Sequence, residues 1–213
     1  MADNYLENKF EEVFGRDRKK TTVRKNNPSL ETLLQRNRSY RGYDNGKTVT
    51  FETLETIVRV NSLVASSRNR QALRFKLVTK ETGAENVLGN MRLGGALPEL
   101  HLPFPGTEPE AFIIVCSTIP EDNDLFIDLG ISLQSMLLKA VEIGLNGIIV
   151  RSFNREALEI AFDLEIKPLA ILAIGKGSES IFLRPIREGE PQSYYRKDGI
   201  QYVPKLGLYD LVI

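Results

Sequence analysis

The sequence predicts an α+β fold, and three observations predict it. Ala111–Ser117 and Pro168–Gly175 are almost continuously apolar, as strands are in a sheet covered on both faces. Between them, Asp124–Ile143 sets Leu129, Leu133, Met136, Leu137 and Ala140 at the spacing of one buried helix face. A chain of 213 residues, 42% hydrophobic and 26% charged, is long enough to bury a substantial core.

The remaining elements follow in order. Tyr5, Leu6, Phe10, Val13 and Phe14 give residues 4–14 a helical pattern, which Gly15 stops. The stretch from Gly15 to Asn27 is basic and aperiodic. It reads either as a nucleic-acid arm, through residues 16–25, or as a solvated linker, and the neutral total charge favours the linker. Residues 1–27 are therefore set apart as a helix and basic linker, and 28–213 as the domain. Asn27-Pro28-Ser29 starts a short helix carrying Leu30, Leu33 and Leu34, with Pro28 suited to its first turn. Thr50 reads as the N-cap of a helix from Phe51 to Val64 that turns Leu54, Ile57, Val58 and Leu63 inward. Phe75–Thr79 is a strand. Residues 80–109 are weakly patterned and rich in Pro and Gly, as a lid or surface loop would be. Ile148–Val150 is a short strand, and Asn154 caps a helix through Phe162. The chain ends in an apolar tail, with tyrosines at 194, 195, 202 and 209, that is expected to dock on this subunit or on another.

Composition narrows the function classes. Lys plus Arg and Asp plus Glu both number 28, so no net field draws in nucleic acid or an anionic membrane. One cysteine, Cys116, rules out an intramolecular disulfide and a cysteine zinc site, and its apolar surroundings make it a small buried hydrophobe. One histidine, His101, leaves little room for a triad or a multi-histidine metal site. No apolar run approaches the roughly 20 residues of a membrane span. The charged N-terminus does not read as a signal peptide, and a reducing cytoplasm is the expected compartment. Neither G-x-G-x-x-G after a strand nor G-x-x-x-x-G-K-[ST] occurs, and H-E-x-x-H and G-x-S-x-G are also missing. An enzyme with this inventory would rely on an organic cofactor.

Three polar clusters at element junctions remain. Arg36, Arg38 and Arg41, with Ser39 among them, could fork onto phosphate oxygens or simply complement a helix C-terminus. Ser66, Ser67, Asn69 and Gln71 lie between two apolar elements, either facing a ligand or bonding their own backbone. In Gly144–Asn154 a helix stops, a strand passes and a helix begins, which would expose the amides of Arg151 and Ser152 where ligands collect in open α/β sheets. Arg151 reads equally as a surface charge.

In this order and spacing the clusters resemble the nitroreductase family of FMN-dependent oxidoreductases. The family's R-R-S-x-R-type stretch is matched by Asn37-Arg38-Ser39-Tyr40-Arg41, and its P-S-S-x-N-x-Q-P-W-x-F stretch by Ala65 through Phe75. Asp128-Leu129-Gly130 matches its D-x-G pattern, and Gly144-Leu145-Asn146-Gly147 through Phe153 its G-L-x-[GT]-x-x-[IV]-x-x-F segment. The resemblance spans roughly residues 29 to 176 and extends less clearly through Lys205. It implies a nitroreductase-like domain with a central mixed sheet flanked by helices, a homodimer with an exchanged C-terminal segment, and FMN as cofactor. Arg38, Ser39 and Arg41 would hold the FMN phosphate and ribityl chain, assisted by Lys205. Ser66, Ser67 and Asn69 would line the flavin from the other wall, often the partner subunit's. Gly147 and the backbone of Arg151 and Ser152 would lie near the ring edge. No side chain would be catalytic, because the flavin carries hydride from NAD(P)H to a small oxidised acceptor such as a nitroaromatic or quinone. Three departures stand out: Asn37 replaces the first arginine unless Arg36 substitutes, Ala72-Leu73 replace Pro-Trp, and Arg151-Ser152 occupy positions often small or acidic. These leave a non-catalytic flavin-binding or storage module as the alternative.

Overall fold

The structure is a computed structural model that describes residues 28–95 and 97–213. The expected helix over 4–14, its Gly15 stop and the basic stretch to Asn27 lie outside the described residues.

Apolar runs with no polar face can only be central strands. β2 (Ala111–Ser117) is buried at every position, and β4 (Lys167–Gly175) at every position but its first. They pair antiparallel at the middle of a four-stranded sheet ordered β1 (Leu73–Val78), β2, β4, β3 (Asn146–Val150), with every ladder antiparallel. Successive side chains point to opposite faces. Ala111, Ile113 and Val115 thus join one core, and Phe112, Ile114 and Cys116 the other. A bulge between Val115 and Cys116 leaves Leu169 between the partners Pro168 and Ala170, so Leu169 and Ala170 both reach the first core. Burial pushes the Cys116 thiol up to about 11, with Glu159 adding to the shift.

The helices cover both faces. α1 (Leu30–Arg36) is capped by Ser29, whose hydroxyl accepts from Thr32 N at 3.2 Å, so Pro28 precedes the cap instead of occupying the first turn. α2 (Phe51–Val58) is capped by Thr50 and buries Leu54 and Ile57. It stops well short of Val64 and tightens into a 3-10 turn over Arg59–Ser62, which leaves Leu63 66% exposed rather than inward. The cause is local. The Asn61 amide donates to Val58 O and the Ser62 hydroxyl to Arg59 O, both at 2.9 Å, and such side chain-to-backbone bonds compete with a continuing helix. The segment 80–109 is more structured than a plain loop: α3 (Ala84–Gly89) sends Ala84 and Val87 into the second core. α4 (Asn123–Glu142) buries all five side chains expected of it against the first core. α5 (Arg155–Phe162) begins at Asn154, whose side chain accepts from Ala157 N at 3.1 Å, and it packs on β4. No described helix is long and apolar enough to cross a membrane.

The tail forms a second sheet that residue pattern does not disclose. β5 (Ser180–Ile186) and β7 (Ile200–Leu206) pair in parallel, and β6 (Tyr195–Lys197) adds antiparallel to β7. The expected mixed pairing occurs here and at the free edge of β3, where Ser39 makes a parallel bridge to Gly147. Beyond Leu206 the apolar Leu208, Tyr209, Leu211, Val212 and Ile213 are exposed.

This architecture seats the segment after α1. Tyr40 N donates to Gly147 O at 3.2 Å, Asp44 N to Lys176 O at 2.7 Å, and Ser178 N to Gly42 O at 3.1 Å. The buried Tyr43 hydroxyl lies 3.0 Å from Tyr40 O and 3.3 Å from Ala173 O, and burial raises its pKa far above the usual phenol value. Two glycines make the close approach possible. A Cβ on Gly177 would stand 2.2 Å from the Tyr40 ring, and one on Gly147 would stand 2.7 Å from both Ala173 O and the Leu137 side chain. Glu179 completes the seat. Its carboxylate, 5% exposed, accepts from the amides of Arg41 and Gly42 and from Arg196 Nη1 at 3.2 Å.

Two outcomes follow. Glu179→Ala is expected to lower stability by about 2 kcal/mol, because charge-assisted bonds are lost and donors are stranded. The Arg41 and Gly42 amides should then exchange hydrogen at least tenfold faster; unchanged exchange would contradict the clamp. Native Cys116 should resist a thiol reagent at pH 8 and react fully only once unfolded, so rapid native labelling would be inconsistent with its burial.

Candidate functional site

The seated segment forms one wall of a cavity of about 280 Å3, and β7 forms the opposite wall. Arg38, Ser39 and Arg41 contribute from one side, and Gln201, Val203 and Lys205, alternate residues of one strand face, from the other. Arg38, Ser39, Arg41 and Lys205, which the resemblance groups together, thus line one cavity. Arg38 also satisfies the helix-end reading, since its Nη2 donates to Leu34 O at 2.5 Å. Burial lowers its pKa, partly offset by Tyr40. Arg41 is 9% exposed, donates from Nη1 to Ser39 O at 2.9 Å and lies 4.8 Å over the Tyr194 ring. The Nε atoms of both arginines are buried and have no hydrogen-bond partner among the described residues. Arg36 is exposed and does not line the cavity; the buried Asn37 does, so Arg36 does not replace the missing arginine.

The second cluster lies elsewhere. Ser66 and Gln71 border a smaller cavity of about 150 Å3 with Asp128 and Ser132. Its loop is tied to α4: Ser67 N donates to Asp128 Oδ1 at 2.7 Å, the Ser67 hydroxyl to Asp124 Oδ2 at 2.9 Å, and Arg70 to Asp122 at 2.8 Å. Gln71 N donates to the Ser66 hydroxyl at 3.2 Å, and Gln71 Nε2 to Asn69 Oδ1 at 3.2 Å. Arg68, Asn69 and Gln71 take left-handed φ of 51°, 54° and 48°, conformations that cost energy for residues other than glycine. The self-bonding reading of this cluster is met at Ser66 alone, whereas Ser67 bonds the carboxylates of α4 and Asn69 the side chain of Gln71. The cluster's exposed surface is what remains for a ligand.

The third cluster divides. Gly147 meets Ser39 across the edge bridge, and Ile149 lines the larger cavity. Arg151 and Ser152 lie beyond the end of β3, exposed, and border neither cavity. The Arg151 guanidinium rests 5.3 Å over the Phe126 ring, and Ser152 O accepts from Arg92 N at 2.9 Å.

Sequence reasoning assigned no role to four anchors. Asp124 and Asp128 stand at i, i+4 on an otherwise apolar helix face, a signal that was available in the sequence. Gln201 comes from the second sheet and Glu179 from the residue just before it, and neither carries a local signal. Gln201 is 1% exposed, and both its amide nitrogen and its oxygen lack a partner among the described residues. Buried amides are normally satisfied, so this pair points to a ligand in the cavity.

No family model matches the chain, and neither does any curated protein. Solved structures do. A nitroreductase family protein from Clostridium difficile 630 is 25% identical, covers 69% of this chain and 83% of its own, and superposes with a TM-score of 0.54. A nitroreductase-type protein from Exiguobacterium sibiricum 255-15, in complex with FMN, is 17% identical over 71% of this chain and 90% of its own, with a TM-score of 0.59. The FMN and NADPH-dependent nitroreductase NfnB from Sphigopyxis sp. strain HMH is 18% identical over 71% and 89%, with a TM-score of 0.58. The chain has the fold of the nitroreductase family.

Proposed function

We propose that the protein is an FMN-dependent oxidoreductase, acting as a homodimer, that takes hydride from NAD(P)H and delivers it to a small oxidised acceptor such as a nitroaromatic or quinone. The observation that carries this reading is the convergence of Arg38, Arg41 and Lys205 on one cavity, with the buried Nε atoms of both arginines unpartnered among the described residues. These residues fit FMN: its phosphate is an anion that accepts hydrogen bonds, and forked cations bind such oxygens with charge assistance. The structural neighbours add support: one is in complex with FMN and another is an FMN and NADPH-dependent nitroreductase.

FMN, when bound, supplies hydride transfer at its ring, and that chemistry needs alignment but no protein base. The chain's own part is to bind and orient. Arg38 and Arg41 neutralise the phosphate, with Lys205 at the exposed mouth and Ser39 adding a hydroxyl. Gly147 keeps the β3 edge flat enough for this wall to close on it. Ile149 lines the cavity from β3, and the ring would lie past it, toward the Arg151 and Ser152 amides that follow the strand.

On this reading one chain would supply only half of the site. The cavity of about 280 Å3 falls just under the roughly 300–1,000 Å3 common for ligand pockets. Gln134 and Leu137 of α4 border it, whereas Asp128 and Ser132 border the smaller one, so the helix separates the two walls. In a dimer, the Ser66, Ser67 and Asn69 wall of the partner subunit would face the arginine wall of this one. Exposed apolar side chains are placed for such an interface: Ile127 and Ile131 on α4, and Leu30 and Leu34 on α1, which packs against α4. The C-terminal apolar tail is the segment that would be exchanged. The storage-module alternative draws on Arg151 and on the replaced Pro-Trp at Ala72-Leu73.

The purified protein, reconstituted with FMN if necessary, should show flavin absorption bands that bleach on anaerobic addition of NADPH or NADH. Arg38→Ala and Arg41→Ala should each weaken FMN binding roughly tenfold to hundredfold, the loss of one charge-assisted contact. Absence of flavin bands after reconstitution would overturn the assignment. Bound flavin that neither nucleotide reduces would select the storage module.

A further inference from the structure

We infer that Gln201 reads the hydroxylated chain of the ligand, fixing its depth in the cavity while the cations hold its anionic end. This rests on the flavin mononucleotide reading above.

The argument begins with an orphaned amide. Gln201 is 1% exposed and lines the cavity, yet neither Nε2 nor Oε1 is bonded among the described residues. Its backbone is fixed on both sides, paired with Ile181 of β5 and Arg196 of β6, which holds its side chain on the cavity face of the sheet. Arg196 is in turn held by Glu179, the carboxylate that seats Arg41 and Gly42. The strand that carries the amide is therefore tied to the arginine wall.

Its chemistry selects what it can meet. A carboxamide offers two donors on one atom and an acceptor on the other. A phosphate dianion only accepts, so it could use Nε2 but would leave Oε1 unpaired beside negative charge. A hydroxyl donates and accepts, and neighbouring hydroxyls of a sugar alcohol can satisfy both ends. Position agrees. Lys205 stands four residues along β7 on the same face, about 13 Å away at strand spacing, at the exposed mouth, while Gln201 is buried. The cavity of about 280 Å3 that both residues line has room for a phosphorylated polyol. The hydroxylated chain would thus lie inside, with the ring beyond it.

The test compares FMN, riboflavin and lumiflavin, which share the ring but differ in phosphate and chain, by fluorescence titration of the full chain. Gln201→Leu should weaken FMN and riboflavin about tenfold and leave lumiflavin unchanged, since only the chain contact is lost. Gln201→Glu should weaken FMN more than riboflavin, because its added charge opposes the phosphate. The ligand-free Gln201→Leu protein should melt roughly 2–4 °C higher, having lost an unsatisfied buried amide. Equal FMN affinity in Gln201→Leu and the wild type would overturn the inference alone. So would a uniform loss for all three ligands with a lowered melting temperature, the mark of a purely structural residue. Failure of the wild type to bind any flavin would overturn the flavin reading itself and the inference with it.

Discussion

Glu179 accepts from the backbone amides of Arg41 and Gly42 and from the side chain of Arg196, and the candidate site depends on that arrangement. Several cations crowd one small cavity and would repel each other if nothing answered their charge. A nearly buried carboxylate answers it, and does so through the backbone of Arg41 instead of its guanidinium. The guanidinium is left to face the cavity, stacked on Tyr194 and bonded once to Ser39 O. The same carboxylate joins three parts of the chain distant in sequence: the segment after α1, the start of β5, and β6.

Everything that holds Glu179 follows from two strands with no polar face. Because β2 and β4 are apolar on both sides, helices must cover both, and β3 becomes an edge. An edge strand offers unpaired backbone groups, and here Ser39 and Tyr40 take them up at Gly147. That single bridge is possible because residue 147 is a glycine packed against Ala173 O and Leu137. The long helix α4 then separates two polar walls that no single protomer brings together, which is the physical reason a second copy belongs in the proposal.

Much of this was legible in the residues. The buried strands, α4 and the caps at Thr50 and Asn154 stand where periodicity and capping chemistry put them, because burial and local hydrogen bonding agree there. Arg38, Ser39, Arg41 and Lys205 could be grouped only through the resemblance, since nothing local links residue 38 to residue 205. Leu63 misled because apolar spacing continued past Val58 while Asn61 and Ser62 turned the backbone off its helix. The second sheet stayed hidden: its strands mix Arg, Gln, Tyr and Pro, and a half-exposed parallel pair carries no strong period. Glu179 and Gln201 were hidden with it, because their importance comes from long-range pairing and burial.

The decisive measurement is the crystal structure of the protein grown with FMN. The present reading places the phosphate against Arg38, Arg41 and Lys205, the polyol chain beside Gln201, and the ring between this arginine wall and the Ser66–Asn69 loop of a second copy. Flavin density located elsewhere, or a cavity holding only solvent at saturating FMN, would contradict it.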